Sequence, residues 1–215
     1  MTGATRVILV GAGSHGKVAL EAVRAMGGFE VVGFLDSDPV GPEVLGAPLL
    51  GNDSLLPCLR AEGVSLAVVA LGSNTLRHRV GERLLALGFG LPTILHPAAF
   101  VSPSASLGPG VVVMARAVVG TETRVGMLTI VNTGAVIDHD NHIGEAAHIA
   151  PGCALAGSIW IGDRTLVGVG SAVRPGIRIG HDAVVGAGSA VVTDVPDGTV
   201  VGGAPARPLR RPDAR

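Results

Sequence analysis

Three of the seven histidines fall within ten residues, at His139, His142 and His148. An imidazole has a pKa near 6.5, so it can take a proton from an attacking amine or hydroxyl and return one to a departing thiolate. Transfer of an acyl group from a thioester requires both of these proton transfers. The histidine cluster is therefore a candidate for general acid–base chemistry of this kind in the C-terminal half of the chain.

The elements that must position these histidines follow a period of six. An aliphatic residue occupies every sixth position from Leu95 to Val191, seventeen hexads without a break. A helix with 3.6 residues per turn cannot hold every sixth residue on one side, whereas short parallel strands can. The pattern predicts a parallel β-solenoid with three flat faces and eighteen residues per coil, in which stacked aliphatic side chains fill a narrow core.

Two further hexad positions are also patterned. The fifth position is mostly small and is expected to turn the corners; it includes Cys153, a predicted packing residue, and its last member is Val195. Glycine is frequent at the second position, where we expect it to supply the backbone conformation that the corners require. The narrow core also explains why aromatic residues make up only 2% of the chain.

Gly157 follows His139 by eighteen residues, which is one coil of the predicted solenoid. His139 is the third residue of its hexad and therefore points outward. Stacking would place Gly157 directly over the imidazole, where a ligand can approach the backbone and the Gly157 N–H can hydrogen-bond a developing oxyanion. We expect His139 and Gly157 to face a common ligand.

The first 94 residues alternate strands with helices, which predicts a parallel sheet covered by helices in a domain half the size of a dinucleotide-binding fold. The division gives an N-terminal domain over 1–94 and a solenoid domain with a C-terminal tail over 95–215. The apolar runs predict strands at Arg6–Val10, Glu30–Leu35, Ser65–Leu71 and Leu91–Leu95, and the helical patterns lie at Gly16–Met26, Ser54–Ala61 and Thr75–Leu87.

A glycine-rich loop lies between the first strand and the first helix. Gly11, Gly13 and Gly16 form a G-x-G-x-x-G motif, whose backbone N–H groups and helix dipole can hold a phosphate. Asp36 follows the second strand, near the position of a ribose-binding acid. The motif alone favours NAD, but the absence of the second half of the fold argues against it, and the same loop can hold the diphosphate of a nucleotide sugar.

The two halves together resemble the bacterial sugar O/N-acetyltransferase family of hexapeptide-repeat acyltransferases. This family includes the sialic-acid O-acetyltransferase type and the nucleotide-linked 4-amino-sugar N-acetyltransferases. The resemblance rests on the half-Rossmann N-terminus, on VNTGAVIDHDNHIGEAAHIAPGCALAGSIWIG at 131–162 and on GGAPARPLR at 202–210. It implies a left-handed β-helix, a homotrimer, acetyl-CoA as cosubstrate without a metal, and a nucleotide-linked amino sugar of the 4-amino-4,6-dideoxy type as acceptor.

The resemblance also implies roles for individual residues. His139 matches the family's general base, Asp140 the acidic residue after it and Gly157 the oxyanion-hole glycine. The expected contacts to coenzyme A are His148, Gly157, Gly202, Gly203, Ala204, Pro205 and Arg207. The expected contacts to the nucleotide sugar are Gly11, Gly13, Ser14, His15, Gly16, Asp36, Asp38, Gly72, Ser73, Asn74 and Arg77.

Composition excludes some functions and leaves others open. Sixteen basic and seventeen acidic residues give a net charge of −1, so no field favours nucleic acid, and proline and glycine interrupt the longest uncharged stretch, which predicts no membrane span. The N-terminus has no signal-peptide pattern and the two cysteines form no motif, so we expect a cytoplasmic protein. An O-acetyltransferase, a zinc-dependent hydratase and a non-catalytic nucleotide-binding scaffold remain the alternatives to an N-acetyltransferase.

Overall fold

The fold of the N-terminal unit follows from the alternation of apolar runs and helical patterns. In the computed structural model, which describes residues 4–38 and 41–209, the chain divides after Pro97 into two compact units. The N-terminal unit contains a five-stranded sheet of order β3-β4-β2-β1-β5. Its strands are β1 Thr5–Val10, β2 Phe29–Leu35, β3 Glu43–Val44, β4 Ala47–Gly51 and β5 Leu66–Val69, and its helices are α1 Ser14–Met26, α2 Leu56–Ala61 and α3 Asn74–Ala86.

The centre of this sheet is the apolar strand β1, which pairs in parallel with β2 and with β5. Ile8 and Leu9 are fully buried, as are Leu20 on α1 and Leu84 on α3. The parallel sheet and its three helices were predicted, but the antiparallel pair of β3 and β4 was not. The last predicted strand is shorter than expected and spans only Ile94–Leu95, labelled β6.

The C-terminal unit is a β-helix of two-residue strands that form three parallel sheets, here called faces I, II and III. In each parallel strand the second residue is aliphatic and points toward the core. Face I consists of Phe100–Val101, Val118–Val119, Val136–Ile137, Ala154–Leu155, Ala172–Val173 and Ala190–Val191. Face II consists of Ser106–Leu107, Arg124–Val125, His142–Ile143, Trp160–Ile161 and Arg178–Ile179. Face III consists of Val112–Val113, Ile130–Val131, His148–Ile149, Leu166–Val167, Val184–Val185 and Val200–Gly202, to which Arg207–Pro208 adds an antiparallel strand.

The eighteen-residue register is confirmed along most of the solenoid. Val119 pairs with Ile137, and Ile137 pairs with Leu155. The last coil is two residues shorter, because Val184 pairs with Val200. As a result Val195 bridges to Ile179. Val195 therefore occupies an aliphatic ladder position and not the small corner position expected from the hexad count.

The structure gives the second-position glycines a different reason from the one expected. Gly126 does not have a positive φ; instead a Cβ on Gly126 would lie 2.7 Å from the backbone carbon of Gly144 in the next coil. Glycine is needed there because successive coils approach too closely for a side chain. The left-handed backbone occurs two residues later, at the fourth hexad position, in every hexad from Gly110 to Gly188.

Candidate active site

His139 lies at the corner between the face I strand Val136–Ile137 and the face II strand His142–Ile143, with 55% of its side chain exposed. Asp140 occupies the left-handed position of this corner, with φ of 57°. From there Asp140 Oδ2 lies 2.7 Å from His139 Nδ1. Because a carboxylate only accepts hydrogen bonds, the ring proton resides on Nδ1, which leaves a lone pair on Nε2.

Two carboxylates raise the pKa of His139. The largest cause is the hydrogen bond to Asp140, and the second is the charge of Asp138. Asp138 Oδ1 also accepts the backbone N–H of His139 at 2.9 Å. The hexad pattern gave Asp138 no role, since its only prediction for the second position was a frequent glycine.

Gly157 stacks on His139 as the eighteen-residue period predicts. The N–H of Ser158 donates to the carbonyl of His139 at 3.0 Å, and a Cβ on Gly157 would lie 2.6 Å from His139 Nε2. Gly157 is buried, and its N–H has no acceptor in the described part of the chain. Because buried backbone N–H groups are almost always paired, this one is a candidate donor to a ligand.

A cleft of about 280 Å³ lies on the face II side of the His139 corner. It is lined by Glu122, Arg124, Asp140, Asn141 and His142. The ring of His142 stacks on Trp160 one coil away, with centroids 6.1 Å apart. The structure thus gives His142, for which the sequence indicated no role, a place beside the candidate base.

His148 lies on face III, on the side of its coil opposite the corner that carries His139. Its Nε2 lies 3.0 Å from Nδ2 of Asn132, one coil away. Because the Asn132 amide donates, Nε2 accepts and the ring proton is on Nδ1. A single chain therefore does not bring His148 and His139 to the same surface. Asn132, a polar residue beside a face III strand, was not singled out from the sequence.

The residues expected to contact coenzyme A at the C-terminus form a turn after the last parallel strand. Gly202 ends that strand, Gly203 has φ of 96°, and the Ala204–Pro205 peptide is cis. Arg207 is exposed and begins the antiparallel strand. Arg207 also lines a cavity of about 260 Å³ together with Val191, Thr193, Asp194, Val195, Pro196, Val201, Ala206 and Pro208.

In the N-terminal unit, Asp36 fixes the glycine-rich loop. Its Oδ2 accepts the backbone N–H of Ala12 at 2.6 Å, and its Oδ1 accepts that of Asp38 at 3.0 Å. Gly11 has φ of 109°, and a Cβ on Gly16 would collide with the carbonyl oxygen of Gly11, so these glycines allow the loop to pack closely against α1. The sequence did not predict that Asp36 binds the loop itself.

A cleft of about 500 Å³ lies where α1 begins. Its position beside the exposed N–H groups of a helix N-terminus suits a phosphate or another anion. Gly13 is the N-cap of α1 and contributes no side chain to the cap. The cleft is lined by Ala12, Gly13, Ser14, Lys17, Gly41, Glu43, Val44 and Leu45.

His15 and Arg77 are mostly enclosed by the N-terminal unit. The pKa of His15 is lowered to about 4 by burial and, second, by the charge of Arg77. Arg77 is 1% exposed, and burial lowers its pKa to about 10. Its guanidinium donates to the carbonyls of Leu71 and Gly72 and to Oδ1 of Asn74.

Arg77 therefore supports the loop at residues 71–74 through hydrogen bonds from a buried position, although it was expected to contact the substrate directly. Ser73 in this loop is the N-cap of α3 and accepts the N–H of Leu76 at 3.4 Å. Gly72 has room for a side chain, since a Cβ there would meet nothing within 4 Å. Of this group, Gly72 and Ser73 present a backbone and a short hydroxyl for a ligand.

Residues 4–38 and 41–209 contain neither a metal-binding cluster nor a membrane-spanning helix. No three histidine, cysteine, aspartate or glutamate side chains in that part of the chain come together to hold a metal ion. Among the same residues, no helix combines the length and apolar character needed to cross a bilayer.

Comparison with known proteins gives the same two-part arrangement. Residues 6–84 match the PglD N-terminal domain family, and residues 158–193 match the hexapeptide repeat of succinyl-transferase. The chain superposes with a TM-score of 0.92 on PerB from Caulobacter crescentus, solved with CoA and GDP-perosamine, at 44% identity over 98% of this chain and 99% of that one. The chain belongs to the hexapeptide-repeat sugar acetyltransferase family.

Two further acetyltransferases are also similar to this chain. The acetyltransferase domain of PglB from Neisseria gonorrhoeae, solved with acetyl coenzyme A, is 42% identical over 96% of this chain and 100% of that domain, with a TM-score of 0.91. A UDP-N-acetylbacillosamine N-acetyltransferase from Bacillus subtilis is 37% identical over 113 residues, which is about half of each protein. The resemblance inferred from the sequence is thereby confirmed at the level of family and fold.

Proposed function

We propose that this chain transfers the acetyl group of acetyl-CoA to the amino group of a nucleotide-diphosphate-linked amino sugar of the 4-amino-4,6-dideoxy type. The observation that carries the proposal is the juxtaposition of His139 and Gly157, because it places a base and an unpaired backbone N–H at one surface. The relatives solved with CoA, acetyl coenzyme A and GDP-perosamine support the choice of substrates.

His139 is the proposed general base. The sugar amine attacks the thioester carbonyl carbon, a C–N bond forms, and Nε2 removes a proton from the nitrogen. The C–S bond then breaks, the departing thiolate takes the proton back from the imidazolium, and the products are the sugar amide and free CoA. Asp140 keeps the proton on Nδ1 and stabilises the imidazolium that exists between the two proton transfers. Such general acid–base catalysis contributes about 10²–10⁴-fold in rate.

Gly157 is the proposed oxyanion donor. The tetrahedral intermediate carries negative charge on the former carbonyl oxygen, and a backbone N–H that has no other acceptor can bind it without reorganisation. A single such donor is worth roughly 10²–10³-fold in rate. Direct attack by the amine requires no acyl-enzyme. Cys153 is not placed to form one, because it is buried in the solenoid core with its thiol directed at the carbonyls of Val167 and Gly168.

We propose the N-terminal domain, residues 1–94, as the nucleotide-sugar module and residues 95–215 as the catalytic domain. In the first, the glycine-rich loop that Asp36 fixes supplies N–H groups to the diphosphate, with Gly11, Gly13, Ser14, His15, Gly16 and Asp38 around it and Gly72, Ser73 and Asn74 on the neighbouring loop. In the second, His148 and the turn from Gly202 through Gly203, Ala204 and Pro205 to Arg207 are the proposed coenzyme A contacts.

We also propose a homotrimer, in which His148 of one chain approaches His139 of the next. The two histidines lie on opposite sides of the coil within a chain, so a second copy is needed to unite them. Face I offers an apolar surface for this contact, since Phe100 is 58% and Val136 41% exposed. The outward residues of face I are Phe100, Val118, Val136, Ala154, Ala172 and Ala190. Light scattering should give the mass of three 21.5 kDa chains.

The cytoplasm is the proposed site of the reaction. Cys58 and Cys153 are both unpaired, which agrees with a reducing compartment.

Release of free thiol from acetyl-CoA tests the function. The protein is offered GDP-perosamine, a UDP-linked 4-amino sugar and sialic acid in parallel, and the product is examined by mass spectrometry. We expect thiol release with an amino-sugar nucleotide and a product that resists alkaline ester hydrolysis, as an amide does. Turnover of sialic acid alone to an alkali-labile ester would show an O-acetyltransferase, and no thiol release with any acceptor would contradict the proposal.

A further inference from the structure

Five buried polar residues at the solenoid corners share one hydrogen-bonding arrangement. Thr165 shows it: Oγ1 donates to the carbonyl of Gly180, fifteen residues on, and accepts the N–H of Ala183, eighteen residues on. The same two bonds recur at four other polar corners, whereas the hydroxyl of the buried corner residue Ser189 donates to the carbonyl of Gly186 in its own turn. The five residues that share the arrangement are Thr123, Thr129, Asn141, Thr165 and Ser171. The arrangement links one coil to the next at these five corners.

Asn141 differs from the other four because it makes additional bonds within its own turn. It is 2% exposed, and its Nδ2 lies 2.9 Å from the carbonyl of Ala156, 2.8 Å from that of Asp138 and 3.2 Å from that of His139. Its Oδ1 accepts the N–H of Ile159 at 2.8 Å, which fixes the orientation of the amide. One planar group therefore binds the backbone of the His139 turn and that of the next coil together.

The bond to Ala156 has a consequence for Gly157. The carbonyl of Ala156 and the N–H of Gly157 belong to one planar trans peptide, in which the two groups point in opposite directions. By holding the carbonyl toward the core, Asn141 directs the Gly157 N–H away from it. The bonds to the carbonyls of Asp138 and His139 fix the backbone from which the imidazole projects.

We propose that Asn141 is a positioning residue, whose amide holds the His139 turn and the Ala156–Gly157 peptide in the relative placement that acetyl transfer requires. This inference rests on the proposed function. Thr and Ser are the residues to test, because threonine at 165 and serine at 171 make the inter-coil bonds but no bonds within their own turn resembling those to Asp138 and His139.

The experiment compares Asn141→Thr with Thr165→Val. Asn141→Thr keeps the inter-coil bonds and loses the two bonds within the turn, so we expect a melting temperature within about 5 °C of the parent, a kcat lower by about tenfold to a hundredfold, and KM values within about twofold. Thr165→Val removes the inter-coil bonds at a corner between faces II and III, whereas His139 lies at a corner between faces I and II. Thr165→Val should lower the melting temperature by at least as much as Asn141→Thr does, while leaving the kcat of the folded enzyme within twofold of the parent.

The outcomes separate this inference from the function on which it rests. If the parent releases no thiol, the proposed function fails; if the parent turns over and Asn141→Thr matches its kcat within twofold, only the positioning role is overturned. A rise in KM without a fall in kcat would also overturn the positioning role. Should Asn141→Thr not fold, Asn141→Ser is measured in its place, and unfolding of both variants would show Asn141 to be a folding residue and overturn the proposal.

Discussion

Gly157→Ala is the substitution that tests the stacked geometry most sharply. The new Cβ would lie 2.6 Å from Nε2 and 3.0 Å from Nδ1 of His139, whereas ordinary van der Waals contact begins at 3.4 Å. The backbone of Gly157 does not have a positive φ, so alanine can adopt it and the fold should survive. The imidazole must therefore move by about 1 Å, a displacement of a reacting group that lowers kcat on the order of 10²-fold.

Thiol release at saturating substrates measures this loss, with the melting temperature as the test of folding. The matched control is the same substitution in a His139→Ala background, where the methyl group meets no ring and should lower kcat by less than about threefold further. The two losses are then strongly non-additive, as expected for residues in contact. A Gly157→Ala enzyme within threefold of the parent kcat, or an equal loss in both backgrounds, would refute the reasoning.

Three further predictions concern the base, the loop and the stacking. Asp140 raises the pKa of His139 and the base works unprotonated, so kcat/KM of the parent should rise with pH through an inflection above 6.5. Asp140→Asn should move this inflection to lower pH and lower the rate, and an inflection that does not move would contradict the pairing. Asp36→Ala removes the acceptor of the Ala12 N–H and should weaken nucleotide-sugar binding about tenfold, measured by calorimetry, with kcat unchanged. Unaltered binding would show that Asp36 does not fix the loop for the substrate. Gly126→Ala places a Cβ against backbone in the next coil and should cost about 1–3 kcal/mol, a fall of roughly 2–12 °C in melting temperature by calorimetry; no fall would show that the coils can separate.

The period of six predicts the solenoid because it is a direct consequence of stacking. Every coil repeats the same path, so a residue and the one eighteen positions later occupy neighbouring places, and Gly157 could be placed on His139 from the sequence alone. The same argument fails where the path changes. The last coil loses two residues, and the hexad count cannot show that Val195 replaces the residue expected beside Ile179.

Other features depend on contacts that spacing does not encode. The second-position glycines were assigned to backbone conformation, but their reason is the distance between coils, as at Gly126. The hairpin of β3 and β4 was missed because β3 has only two residues and Pro42 and Gly46 interrupt the apolar pattern. Asn141 sits at a position where the repeat predicts only a small residue, so its contacts with four backbone groups are visible only in three dimensions.

The roles of individual residues also divide into those that the sequence could predict and those that it could not. The pairing of His139 with Asp140 joins adjacent residues, and the family resemblance suggested it; the left-handed conformation of Asp140 is what allows its short side chain to reach Nδ1. Arg77 and Asp36 were expected to contact substrate, yet both are bound to backbone of the loops beside them. A sequence pattern identifies such residues but does not distinguish direct contact from support of a loop.

The kinetics of His139→Ala test the central claim most directly. With GDP-perosamine or the UDP-linked 4-amino sugar, whichever the parent accepts, the variant should release thiol from acetyl-CoA about 10²–10⁴-fold more slowly than the parent at an unchanged melting temperature. A folded His139→Ala protein that turns over at the parent rate would contradict the assignment of the imidazole as the base and the account built on it.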